Sequence, residues 1–360
     1  MERLEGNVHS EFWKSKKVFL TGHTGFKGSW LTLWLHGMGA IVKGYSLAPH
    51  TSPNLYEEAN VAEGIESEIG DIRNLESVTK SMTSFDPDIL IHMAAQPLVR
   101  LSYSEPVETY ATNVMGTIHV LEAARKCKSL KSIVAITTDK CYENKEWPWG
   151  YRENEAMGGH DPYSSSKGCC ELLIASYRRS FFNSTNSASL ASVRAGNVIG
   201  GGDWSDDRLI PDILKAFEKS VPVIVRNPLS TRPWQHVLEP LSGYLLLAEE
   251  LYNNGDRFAD GWNFGPKDVD CQSVEKILNT MIKVWGEGAS WKLDSNSNPH
   301  EAGFLKLDCS KVTQQLKWVP QWNLEFTLKS IVEWHKAWMN NADMKKQCLK
   351  EIELYVNKLS

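Results

Sequence analysis

Tyr163 and Lys167 stand four residues apart in Tyr163-Ser164-Ser165-Ser166-Lys167, a spacing that puts both on one face of a helix. Asp161-Pro162 just ahead supplies an N-cap and a first-turn proline, so the helix is expected to begin there. A phenol with a reference pKa near 10 is a poor base at neutral pH, but a neighbouring positive charge stabilises its phenolate. Alone, such a pair is also a common helix-surface pairing. Its weight comes from Thr137-Thr138-Asp139-Lys140-Cys141-Tyr142, which follows an apolar run Ser132 to Ile136. The C-terminal end of such a strand is where open α/β sheets bind ligands. There Thr138 can share a hydrogen bond with Tyr163 or with a substrate hydroxyl. Asp139 is a candidate general acid if burial keeps it protonated; otherwise it is a cap or a surface ion pair.

A second constellation lies near the N-terminus. Gly22, His23, Thr24, Gly25, Phe26, Lys27 and Gly28 follow the apolar Val18-Phe19-Leu20-Thr21 and lead into the helical Ser29 to Leu35. Spaced glycines between a strand and a helix let backbone N–H groups approach a pyrophosphate. This predicts a dinucleotide site, and an oxidised nicotinamide beside Tyr163 would favour the phenolate and accept hydride from the carbon whose hydroxyl Tyr163 deprotonates. His23 and Lys27 are expected either to add positive charge beside the pyrophosphate or to be plain exposed loop residues. No Asp or Glu for the adenosine ribose occurs around Ser46 to His50, where one is ordinarily found. Asp71 and Ile72 follow a third expected strand.

The elements that must position these groups form an alternating series. Ile41 to Ser46, Asp88 to Ala94, Ser132 to Thr138 and Ala191 to Arg194 read as buried strands, separated by helical stretches such as Val107 to Lys126 and Tyr163 to Arg179. This is the pattern of an α/β, doubly wound, Rossmann-type parallel sheet. The pattern breaks after residue 195. Shorter elements follow: a helix near Asp212 to Lys219, a strand Pro222 to Arg226, a helix opened by Glu239-Pro240, and another over Ser273 to Trp285. The expected division is an extension at 1–15, a dinucleotide-binding domain at 16–195 and a smaller C-terminal substrate-binding lobe at 196–340. The chain is expected to cross back to the sheet at Trp262 to Gly265, and a tail at 341–360 to form one amphipathic helix with solvated charges.

The chain has 360 residues and a formal charge of −5, which offers no broad attraction to nucleic acid or to an anionic membrane. Any polyanionic ligand must be held by local cations. Seven scattered cysteines lack paired metal-ligand spacing, so no metal is implied and reduced thiols in a cytoplasmic protein are expected. Neither a signal-peptide core nor an apolar run long enough to span a membrane is present. The fourteen tryptophans read as core and loop packing.

Taken together, GHTGFKG, His92-Met93-Ala94-Ala95-Gln96, Thr112-Asn113-Val114-Met115-Gly116-Thr117, TTDKCYEN, YSSSK and Arg194-Ala195-Gly196-Asn197 resemble the extended short-chain dehydrogenase/reductase family of nucleotide-sugar enzymes. The resemblance runs from about Lys16 to Met339. It implies NAD as cofactor, with Ala94, Ala95, Gln96 and Asn113 joining the glycine loop, Tyr163 and Lys167 around it, and Asp71 and Ile72 in contact with adenine. Within the family, the Thr138-Asp139 pair is similar to that of 4,6-dehydratases rather than 4-epimerases. The Glu146 to Glu153 and Arg232 to Val237 segments further imply CDP-glucose as substrate, in deoxysugar synthesis of the O-antigen type. The resemblance also places Asn197 and Arg232, with Arg208, on the phosphate and sugar side. It implies oxidation at C4, loss of water across C5 and C6 with Asp139 as acid, and reduction at C6. Many relatives carry Asp-Glu where this chain has Asp139-Lys140, so Lys140 is the expected C5 base, with Tyr163 as the competitor. A homodimer or homotetramer is expected, paired through the helices at Val107 to Lys126 and Tyr163 to Arg179. Competing readings are a 4-epimerase, a dehydratase of another nucleotide hexose, and an inactive cofactor-binding scaffold.

Overall fold

A computed structural model of the chain describes residues 7–184, 187–294 and 304–359. Six strands come first: β1 (Lys17–Thr21), β2 (Ile41–Ser46), β3 (Glu66–Ile69), β4 (Ile89–His92), β5 (Ser132–Ile136) and β6 (Ser189–Ala195). Then come β7 (Asn197–Ile199), β8 (Val223–Val225), β9 (Thr231–His236), β10 (Gly261–Phe264), β11 (Cys271–Ser273) and β12 (Trp291–Leu293). The central sheet has seven parallel strands in the order β3-β2-β1-β4-β5-β6-β10. Strand order reverses between β1 and β4, which opens a crevice at their C-terminal ends. As expected, the chain returns to this sheet at β10, where Asn263 lies opposite Arg194.

Both faces of the sheet are covered, so successive strand residues enter different cores. Val18, Leu20, Val134 and Ala191 join a core built with the Phe26–Gly37 and Leu238–Asn254 helices. Phe19, Ile133, Ala135 and Leu190 face the Leu75–Phe85, Gly116–Ala124 and Pro162–Ser180 helices. A third core, around Ile213, Phe217, Ile277 and Ile331, belongs to the C-terminal lobe. There β7 and β11 flank β9, and β8 pairs with β12. Nine of the tryptophans, among them Trp13, Trp30, Trp262 and Trp334, are buried.

Three expectations change. The Leu238–Asn254 helix follows the residue 195 boundary yet packs in the core beneath the sheet, because its apolar residues occupy nearly its whole surface. The C-terminal helix, Met344–Leu359, is not merely solvated. Met344, Cys348, Ile352 and Tyr355 are buried, Tyr355 packs edge-on to Trp34, and its hydroxyl donates to Glu239 Oε2 at 2.7 Å. The expected helix from Val107 to Lys126 is interrupted by a π-helical turn at Ala111–Met115. The carbonyl of Asn113 within it accepts from Thr117 Oγ1 at 2.6 Å and Cys170 Sγ at 3.0 Å. Such turns recur at functional sites because they re-aim side chains.

One buried carboxylate ties the sheet to the helix that carries Tyr163 and Lys167. Glu171, one turn beyond Lys167, accepts from Arg194 Nε at 2.9 Å and Nη2 at 2.8 Å, from Ser192 Oγ at 2.7 Å, and from Thr137 Oγ1. Arg194 also donates to Tyr142 Oη at 2.6 Å and to the Glu153 carbonyl at 3.0 Å, and Tyr142 donates to Asn263 Oδ1 at 2.7 Å. With four donors around it, Glu171 stays ionised: its pKa lies below the usual value although burial opposes this.

Glu171→Ala leaves the Arg194 guanidinium buried without its counter-charge, and chemical denaturation should show a loss of about 3–5 kcal/mol. The paired Glu171→Leu/Arg194→Met variant should recover most of that loss; a single variant as stable as the parent contradicts the role. Burial holds the imidazoles of His23, His92 and His236 at about 4, 3 and 3, below the ordinary 6.5. A depressed folded pKa gives stability that is complete above the unfolded value and drains as pH falls below it. Between pH about 6.5 and pH about 4 the urea midpoint of the wild type should therefore fall relative to that of His23→Gln.

Candidate active site

The Pro162–Ser180 helix starts where its sequence dictates. Asp161 caps it by accepting from Ser164 N at 2.8 Å, and Pro162 fills the first turn. Tyr163 and Lys167 therefore share the face turned to the end of β5, and both are buried. The short helix Asp139–Cys141 begins where β5 ends, with Thr138 as its N-cap. Thr138 Oγ1 donates to Asp139 Oδ1 at 3.0 Å, and its hydroxyl also meets the Tyr163 phenol.

Asp139 is 2% exposed, and its Oδ2 has no hydrogen-bond partner among the described residues. Burial raises its pKa against the pull of Lys140, Thr138 and Arg232. A buried carboxyl that is protonated and has one oxygen unengaged can donate a proton to a ligand. Gly196 passes so close that a Cβ there would lie 3.1 Å from Asp139 Oδ2 and 2.4 Å from Pro233 Cγ. Any side chain at 196 would fill this space.

Burial pushes Tyr163 up to about 12, with Thr138 and Arg208 drawing it down and Asp139 and Asp161 adding to the rise. Lys167 Nζ donates to the Ile136 carbonyl at 3.4 Å, and burial lowers its pKa. Arg208 is oriented by Asp203, whose Oδ2 accepts from Nη1 at 3.1 Å. The other oxygen of Asp203 accepts from Ser205 N at 3.1 Å, which fixes the carboxylate in the turn that follows Gly200-Gly201-Gly202.

The glycine loop has the shape its residues predict. Gly22 has φ +82°, and a Cβ on it would lie 2.8 Å from Ala94 N; a Cβ on Gly28 would lie 2.0 Å from Gly22 O. The helix begins at Phe26, three residues earlier than expected, with Gly25 as N-cap and no side chain capping its first turn. Backbone N–H groups and an unobstructed surface fit a pyrophosphate there. Lys27 lies in the field of the groups that face the end of β5: burial lowers its pKa to about 7, helped by Arg208 and Lys167 and opposed by Asp139.

Other expected contacts are placed differently. His23 adds no charge beside the phosphates, since it is fully buried and neutral, with Nε2 2.7 Å from Ser67 Oγ. Both amide ends of Asn113 are engaged within the chain: Oδ1 accepts from Gln96 N at 2.8 Å, and Nδ2 donates to Gln96 O at 3.1 Å and Ser166 Oγ at 2.9 Å. Gln96 likewise spends its amide nitrogen on Thr109 Oγ1 and the Leu98 carbonyl. These two side chains brace the loop after β4 against the Tyr163 helix. The Ile72 side chain enters the core, and Asp71 is gripped by Arg73, so its pKa is lowered.

Ala94 abuts Gly22, Ala95 is half-buried beside it, and Asn197 opens β7 opposite Trp234 in β9. Arg232, in β9 opposite Gln272, exerts its charge on Asp139. The structure therefore gathers Thr138, Asp139, Tyr163, Lys167, Lys27, Arg208 and Arg232 around one crevice. Among the described residues no group of three or more His, Cys, Asp or Glu could hold a metal ion, and no helix is long and apolar enough to cross a membrane.

Comparison with known proteins gives this crevice a context. The sequence profile described as GDP-mannose 4,6 dehydratase matches residues 19–331. CDP-glucose 4,6-dehydratase of Salmonella typhimurium is 58% identical over 354 residues, covering 97% of this chain and 99% of that protein. CDP-paratose 2-epimerase of Salmonella typhi is 31% identical over 88% of this chain and 98% of its own length. Among solved structures, UDP-glucose 4-epimerase of Thermotoga maritima with UDP-glucose superposes with a TM-score of 0.77 at 19% identity, over 90% of this chain and 99% of that one. The Thermus thermophilus UDP-glucose 4-epimerase complex with NAD does so with a TM-score of 0.77 at 20% identity, over 89% and 99%. By sequence match along most of its length and by the arrangement just described, the chain belongs to the GDP-mannose 4,6 dehydratase family of nucleotide-sugar enzymes.

Proposed function

We propose that this chain converts CDP-glucose to CDP-4-keto-6-deoxyglucose and water, using NAD that is regenerated in each turnover. The observation that carries the reading is the buried carboxyl of Asp139, with one oxygen unengaged, beside Thr138 and Tyr163. An epimerase, which only removes and restores hydrogen at C4, has no use for such an acid. The 58% identity to a CDP-glucose 4,6-dehydratase supports the choice of reaction and of nucleotide.

What NAD supplies when bound is reversible uptake of hydride, taken from C4 and delivered to C6. Tyr163 takes the O4 proton; burial raises its pKa, so positive charge added beside Arg208 favours the phenolate. The ketone at C4 acidifies the C5 proton, which we assign to Lys140, next to Asp139, with Tyr163 the alternative base. Asp139 protonates the departing O6 hydroxyl, so water leaves without a free hydroxide. The same base then returns a proton to C5, so that atoms and electrons balance: C4 is oxidised, C6 is reduced and one water departs. Arg208 and Arg232 approach from separate elements and suit a diphosphate, because a guanidinium can make two parallel charge-assisted bonds.

We further infer a homo-oligomer paired through the helices on the Tyr163 side, where Val107, Tyr103 and Leu172 are 82%, 64% and 64% exposed. Large apolar side chains left in water on neighbouring helices suit burial against a second copy. A cytoplasmic place in O-antigen-type deoxysugar synthesis accords with this chemistry and with thiols that are all free.

Incubation with CDP-, dTDP-, UDP- and GDP-glucose, each with NAD, should give loss of one water from the CDP sugar in preference to the others; no loss from any of them defeats the proposal. Asp139→Asn should slow product formation by about 10²–10⁴-fold while single-turnover absorbance of reduced nicotinamide still appears. Lys140→Ala should stop exchange of the C5 hydrogen with deuterated solvent; full exchange moves the base to Tyr163. Val107→Glu with Leu172→Glu should convert the sedimenting species to monomer.

A further inference from the structure

A dinucleotide-binding sheet ordinarily offers the adenosine ribose a carboxylate at the end of its second strand. In this chain that place is held by Ser46. The β1–β2 register sets Tyr45 opposite Thr21, and Gly22 N donates to the Tyr45 carbonyl at 3.0 Å, so Ser46 flanks the first glycine of the loop. Ser46 Oγ lies 2.8 Å from Thr24 Oγ1, which itself donates to the Leu47 carbonyl at 2.8 Å. A hydroxyl has a single proton and two lone pairs. Thr24 spends its proton on Leu47, so the bond between the two hydroxyls is donated by Ser46. Ser46 Oγ is thereby left as an acceptor only, which is the hydrogen-bonding character of a carboxylate without its charge. Asp71, the acid on the adenine side, is neutralised by Arg73, whose Nε donates to both its oxygens at 3.0 and 2.8 Å.

We propose that the Thr24–Ser46 hydroxyl pair is the element that selects NAD over NADP, with Ser46 Oγ accepting from the ribose 2′-hydroxyl. This rests on reading the Gly22–Gly28 loop as the dinucleotide cradle. A carboxylate discriminates twice, through a charge-assisted bond to the hydroxyl and through repulsion of a 2′-phosphate. Ser46 discriminates once, through a neutral bond that the phosphate cannot donate. The preference is therefore shallow, and it depends on Thr24 keeping the Ser46 proton occupied.

Calorimetric titration of the full chain with NAD and with NADP tests this, because it reads binding rather than turnover. The wild type should favour NAD by about tenfold, the worth of one neutral hydrogen bond. Ser46→Ala should bring the two affinities to within about twofold, and Ser46→Asp should widen the preference beyond about a hundredfold through charge. Thr24→Val, which frees the Ser46 proton to meet a phosphate oxygen, should also narrow the preference while Ser46→Asp in the same background restores it. A wild-type preference already beyond a hundredfold, or a ratio unmoved in Ser46→Ala and Ser46→Asp proteins of native circular dichroism, overturns the proposal. If neither dinucleotide binds the wild type, the cradle reading itself is overturned, an outcome distinct from an unchanged ratio.

Discussion

The chemistry in this chain depends on a negative charge kept where no water reaches it. Glu171 is buried four residues after Lys167, and its two oxygens accept from β6, from the residue before Thr138, and from Arg194. Desolvating a carboxylate costs several kcal/mol, and only good geometry with full hydrogen bonding offsets that. Once offset, the arrangement resists displacement, since moving any donor strands a charge. Arg194 carries the constraint onward to Tyr142 and through it to Asn263 in β10. The helix bearing Tyr163, the segment bearing Asp139 and the edge of the sheet are thereby held in one geometry.

On that frame, burial does the tuning. The same low-dielectric surroundings raise Asp139 and Tyr163 and lower Lys27 and Lys167, so each group is biased toward its neutral form. Asp139 and Tyr163 are thus both moved toward their proton-bearing forms. Charges brought by ligands then have large effects, because little solvent screens them. Arg208 and Arg232 remain as fixed cations at the margins, and Asp203 holds the first of them in place.

Much of this was legible in the residues. The cap at Asp161, the i, i+4 pairing of Tyr163 with Lys167, and the glycine that must adopt positive φ at 22 are local matters of hydrogen bonding and sterics. The parallel sheet followed from short apolar runs buried on both faces, and the return to the sheet at β10 from the apolar Trp262 and Phe264. His23 was not legible, because a histidine beside glycines looks the same in sequence whether it meets solvent or lies against Gly44, as here, where a Cβ at 44 would meet its ring at 2.3 Å. The bracing role of Asn113 and Gln96 was hidden for a related reason. Their amides answer each other and Ser166 across 17 and 53 residues, distances at which spacing carries no signal.

The sequence by itself determined the identity of the reactive groups, the helix and strand that bear them, and the loop that must lie bare of side chains, since these follow from chemistry within a few residues of each group. Tertiary structure alone decided their states and their company. It buried Asp139 with one oxygen unengaged, brought Arg208 near Tyr163 and Lys27 near Asp139, withdrew His23 into the core, packed the C-terminal helix against the helix that follows the glycine loop, and joined Ser46 to Thr24 where a carboxylate is customary. Those outcomes turn on which distant atoms exclude water and which meet within hydrogen-bonding distance, and a linear order of residues does not fix either.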